Sequence, residues 1–80
     1  MTPEERRHAY RLLVAAQIDV LMAGKALSQA ALARRMETDR ATVCRVLQGQ
    51  EITVSTLKAF AEALDCDVVL RPRVEPDAAV

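Results

Sequence analysis

Residues 27–49 read LSQAALARRMETDRATVCRVLQG, and this stretch decides the fold. Ser28 is placed to cap a helix, with Leu27 before it poised to staple onto Leu32 at the fourth helical position. Leu32 and Met36 share one face, and the pattern stops after Met36, about two and a half turns on. Glu37-Thr38 leave room for only a very short connection. Asp39 then caps a second short helix, Arg40 to Gln48, and Gly49 follows as its stop. The wheel of this helix divides sharply. Val43, Val46 and Leu47 point one way; Arg40, Ala41, Cys44, Arg45 and Gln48 point the other, with two cations, an amide, two small residues and no acid. Two short helices joined tightly, the second with a basic and amide-bearing outer face, meet the physical requirements of a helix-turn-helix reader.

The flanks complete a helical plan. Thr2 caps a long first helix, with Pro3 at its first position and Glu4 and Glu5 where the macrodipole favours acids. It is expected to run to about Ala23, with Gly24 as its stop. Two apolar stripes lie on nearly opposite sides of it. Ala9, Leu12, Leu13, Ala16, Val20 and Ala23 form one; Tyr10, Val14, Ile18 and Leu21 form the other. One stripe is needed for the core, and the second is a candidate contact for the C-terminal segment or another subunit. Downstream, Thr53 caps a fourth helix, Val54 to Leu64, with Val54, Leu57, Ala61 and Leu64 at helical spacing and Phe60 beside them. Val68-Val69-Leu70 is β-branched and apolar, short enough for one strand. Pro72 and Pro76 end regular structure. Residues 1–71 are thus expected to form one domain and residues 72–80 a loose acidic tail.

Composition narrows the function. The chain has 80 residues, 51% of them hydrophobic, which excludes general disorder and allows one small domain. Two glycines and three prolines favour helices over a turn-rich β fold. No run approaches the roughly 18 apolar residues of a membrane span. The N-terminal residues match no cleavable signal, so a cytoplasmic protein without membrane attachment is expected. Net charge is zero, yet residues 25–50 carry five bases against two acids and residues 51–80 carry three bases against six acids. A locally basic segment in a neutral chain fits one anion-facing surface.

Enzyme chemistry has little to work with. His8 is the single histidine, set among Arg6, Arg7 and Arg11 and read as solvated. Cys44 and Cys66 stand 22 positions apart with no clustered ligand, so neither a zinc site nor a structural disulfide is expected. Cys66 reads as a small apolar residue and Cys44 as a groove-facing one. Gly24 and Gly49 are too isolated to cradle a phosphate. No catalytic residues, metal or cofactor are expected.

Leu27, Gln29, Leu32, Ala33, Val43, Val46 and Gly49 all fall in register with the Cro/C1-type (XRE) helix-turn-helix family, which the chain resembles over roughly residues 14–70. The resemblance implies an all-α, lambda repressor-like fold of about four helices, here with the short C-terminal strand. It also implies a sequence-specific regulator that binds double-stranded DNA at a palindromic operator as a homodimer. By position, Arg40, Ala41, Cys44 and Arg45 match residues that face base edges, while Gln29, Thr42 and Gln48 match phosphate-contacting ones. Lys25, Arg34 and Arg35 are either weak backbone attractors or plain surface charge. Small members of the family often pair a C-terminal strand across the dimer, which gives Val68, Val69 and Leu70 as the expected dimer contact. The expected role is a repressor of its own or a neighbouring operon, of phage, anti-CRISPR-associated or antitoxin type. The alternative is an antitoxin that works mainly by covering a toxin partner. The sequence departs from the family at Ala26 and Glu37, which stand where glycines are usual, and in its longer first helix. Glycine adopts the left-handed backbone that ends a helix without steric penalty. Glu37 is therefore expected to be held there under strain.

Overall fold

The computed structural model describes residues 2–69. Four helices follow one another: α1 (Pro3–Gly24), α2 (Gln29–Arg35), α3 (Arg40–Leu47) and α4 (Val54–Ala63). Each starts at the residue that local chemistry selects. Thr2 Oγ1 accepts from the Glu5 N–H at 3.1 Å while the Glu5 carboxylate accepts from the Thr2 N–H, a capping box. Ser28, Asp39 and Thr53 each accept the N–H three residues on, at 3.1, 2.8 and 3.1 Å. These caps satisfy donors that helix geometry otherwise leaves without partners.

The helix ends share a second device. After each last turn the chain passes through a left-handed residue, and two backbone bonds close the turn. For α1 that residue is Ala26 (φ 53°), with Ala26 N–H on Ala23 and Leu27 N–H on Met22. Gly24 is therefore the last helical residue and not the stop that was expected. Glu37 (φ 57°) ends α2, Gly49 (φ 83°) ends α3 and Asp65 (φ 54°) ends α4. The left-handed backbone expected at Glu37 is present.

α3 packs against both α1 and α2. The core joins Ile18 and Met22 of α1, Leu32 and Ala33 of α2, Val43 and Val46 of α3, and Phe60 and Leu64 of the α4 end. Burying one such side chain contributes about 1.5–3 kcal/mol, so the four fully enclosed ones, Phe60, Leu32, Leu64 and Val43, dominate. Leu27 packs on this cluster, as a staple requires, and so does Cys66. Both cysteines are free and half-buried.

Of the two α1 stripes, the core takes Val14, Ile18 and Leu21, together with Ala15 and Met22, which belonged to neither. Leu13, Ala16 and Val20 stay exposed, Val20 at 70%. Tyr10, on the core-facing stripe, is exposed as well, as are residues 2–8 before it. Val54 is 75% exposed, against expectation: it is the first residue of α4, and burial on that helix falls on Leu57, Phe60, Ala61 and Leu64.

The strand expected at Val68 to Leu70 is not formed among the described residues. Val68 and Val69 are exposed and in no regular structure, and Leu70 lies outside them. A strand needs a neighbour to share a ladder, and the other described segments are helices and the turns between them. The 71/72 boundary and the tail also lie outside the described residues. No single described helix is long and apolar enough to cross a membrane. The α1–α2 pair passes on composition but is bent by 95° and places Ile18, Met22 and Leu32 in the core.

Candidate nucleic-acid interface

Val43 and Val46 fix α3 by its inner face, so its outer face is set by subtraction. Arg40, Ala41, Arg45 and Gln48 are exposed there, and Cys44 is half-buried at its edge. The N-terminal end of α3 carries a small network. Asp39 Oδ1 accepts from both the N–H and the hydroxyl of Thr42, each at 2.8 Å, and Arg45 Nη2 donates to Thr42 Oγ1 at 3.3 Å. The Thr42 hydroxyl, then its N–H, hold the Asp39 carboxyl below its ordinary range, and the Arg45 charge adds to this. Asp39 is therefore a carboxylate at neutral pH.

Gln29 is the first residue of α2, half-buried, and its side chain comes to the same place as the end of α3. It shares a shallow depression of about 460 Å³ with Cys44, Leu47 and Gln48, floored by Leu12, Ala15 and Ala16 of α1. Gln48 Nε2 donates to Cys44 Sγ, four residues back along α3, at 3.5 Å. The structure thus brings Gln29, Cys44 and Gln48 together, and sets Arg40, Ala41 and Arg45 on the open face beside them. Thr42 is turned to Asp39 and Arg45 instead.

Three features of the site have no counterpart in the sequence reading. Asp19 of α1 lines the depression, so an acid enters a surface whose α3 side has none. Arg11 Nε donates to the Gly49 carbonyl at 3.0 Å, a cation on the C-terminal end of α3 where the macrodipole favours it. Leu12 lies so close to Gly49 that a Cβ there would stand 2.7 Å from Leu12 Cδ2. Both contacts join α1 to a residue nearly forty positions away, and no local pattern announces them. Arg35 is tied elsewhere, donating from Nη1 to the Ala63 carbonyl at 3.3 Å, at the end of α4; Lys25 and Arg34 are exposed.

A family model described as the Cro/C1-type HTH DNA-binding domain matches residues 17–69, well over half of the chain. The chain belongs to this family. No curated protein matches it. The Cro/C1-type match begins inside α1, at Gln17, and covers α2, α3 and α4 whole. Arg11 and Leu12 therefore lie outside the matched segment, in the N-terminal half of α1. That part reaches back to the end of α3 through Gly49. DNA binding and transcriptional regulation are the family-level function.

Proposed function

We propose that the chain is a transcriptional repressor that binds a palindromic operator as a homodimer and acts on its own or a neighbouring operon. One observation carries the reading. The face of α3 that the core does not use presents Arg40, Ala41 and Arg45 with Gln48 and no acid, beside the start of α2. Arg40, Ala41, Cys44 and Arg45 meet base edges in the major groove. Arginine can pair with guanine O6 and N7, and alanine can meet a thymine methyl. Gln29 and Gln48 contact phosphate, which sets register without reading sequence.

A module of this size covers about 600–1,000 Å² on DNA, and two copies on half-sites one turn apart supply the affinity that one lacks. Val68 and Val69, exposed and apolar, are the proposed dimer contact, pairing with the same residues of a second copy. Binding tested by gel shift on the DNA upstream of the gene, against an unrelated duplex, checks the function. A strong preference for the upstream DNA supports it, and equal binding to both contradicts it. Val69→Asp tests assembly. Val69 is 71% exposed, so the substitution should leave the monomer folded while shifting sedimentation towards monomer and weakening operator binding with it. A parent chain that is monomeric both free and on DNA contradicts the dimer.

The uncovered α1 face of Leu13, Ala16 and Val20 favours a second reading, an antitoxin-like module whose main partner is a protein. Stable co-purification with the product of an adjacent gene, together with weak DNA binding by the chain alone, supports that reading over the first.

A further inference from the structure

Asp39, the N-cap of α3, and Thr42 and Arg45 within it stand three residues apart along one ridge, where successive side chains are neighbours. Their bonds run in one direction. The Thr42 hydroxyl gives its single hydrogen to the Asp39 carboxylate at 2.8 Å, so Thr42 Oγ1 shows only lone pairs to its other side. A phosphate oxygen offers lone pairs too, and would find no donor there. A guanidinium is all donor, and Arg45 Nη2 occupies the position at 3.3 Å. That contact uses one of five guanidinium N–H groups and leaves four, enough for a two-point contact with a base.

We propose that Thr42, oriented by Asp39, is a positioning residue that pre-sets the Arg45 side chain for base contact, rather than a phosphate contact. The proposal rests on α3 being the DNA reader. Arginine on a bare helix face samples many rotamers and must give them up on binding. An arginine already tethered gives up fewer. All three side chains are solvent-accessible in the free protein, where water competes for the bond, so the tether adds little to folding. Against DNA the same bond is shielded from water and strengthened.

The test uses the tightest duplex selected from a randomised pool and one unrelated duplex, with affinity measured by fluorescence anisotropy at several salt concentrations. Five proteins are compared: parent, Thr42→Val, Thr42→Ser, Arg45→Ala and the Thr42→Val/Arg45→Ala double variant. Valine keeps the branched shape of threonine and leaves the Thr42 N–H on Asp39, and thermal melting monitors the fold. Thr42→Val should weaken the selected duplex by about three- to tenfold, the range expected for one hydrogen bond. Binding to the unrelated duplex and the salt slope should not change, and Thr42→Ser should behave as the parent. In the Arg45→Ala background the Thr42→Val effect should vanish. Equal losses on both duplexes would make Thr42 a phosphate contact and overturn the proposal alone. So would a Thr42→Val loss that persists without Arg45. An Arg45→Ala protein that binds the selected duplex like the parent overturns the reader assignment itself, and the positioning role with it.

Discussion

At their starts, the four helices are closed by the side chains of Thr2, Ser28, Asp39 and Thr53, each accepting a backbone N–H at 2.8–3.1 Å. At their ends, each turns through a left-handed residue, Ala26, Glu37, Gly49 or Asp65, closed by two backbone bonds, with Arg11 and Arg35 adding side-chain donors to the Gly49 and Ala63 carbonyls. The starts carry residue types suited to the job. Of the ends, one carries glycine and three carry a Cβ. A cap is a chemical event that a sequence declares. A left-handed turn is a conformational event that surrounding structure can impose on a residue that resists it. Ala26, Glu37 and Asp65 are all exposed, whereas Gly49 is buried against Leu12, so the one glycine sits where a side chain would also have met a neighbour.

The largest effect should therefore come from Gly49→Ala. The new methyl stays in the left-handed backbone, at about 1–2 kcal/mol, and pushes Leu12 aside. Chemical denaturation should show that loss, and adding Leu12→Ala should not restore the backbone part. Full recovery in the double variant would mean that crowding, not backbone, is why glycine stands there.

Glu37→Gly should do the reverse and raise stability by about 1 kcal/mol, partly offset by the greater freedom of glycine in the unfolded chain. It should also tighten DNA binding at low salt, since it removes a carboxylate near the start of α3, and the gain should shrink as salt rises. Glu37→Gln should recover the binding gain without the stability gain. A Glu37→Gly protein that melts lower would show that this end tolerates its side chain at no cost.

The smallest effect concerns a helix start. Asp39 has its carboxyl pKa depressed by Thr42 and Arg45, so its stabilising contribution is complete above the unfolded value, near 4, and is lost as pH falls through the lower folded value. The N-terminal turn of α3 should loosen in that acid window, seen as a shift and faster exchange of the Thr42 amide by NMR. Asp39→Asn should remove that pH dependence. A Thr42 amide that follows the same acid titration in the Asn variant would place the cause at another carboxylate.

The same contrast explains what could be read in advance. The α2–turn–α3 unit was legible because caps, the Leu27 staple and the Val43/Val46 spacing are local and each obeys its own rule. The outer face of α3 followed from its inner one. What was not legible depends on distant segments. Which α1 stripe is buried is set by where α3 and α4 pack, and the core chose the stripe of Ile18 over that of Val20. Arg11 reaches Gly49, and Asp19 enters the depression beside Gln29, through tertiary placement alone. Val68 and Val69 have strand-forming side chains, but a strand is a property of a pair, and the described residues supply no second member.

The central claim is that the outer face of α3 reads DNA. It is tested most directly by the affinities of Arg40→Ala and Arg45→Ala for the selected duplex and for versions altered one base pair at a time. Each substitution should cost about 1–3 kcal/mol on the selected duplex and erase preference at one base pair per half-site, leaving the other positions discriminated as before. Two variants that bind the selected duplex as tightly as the parent, with every base preference intact, would contradict the claim.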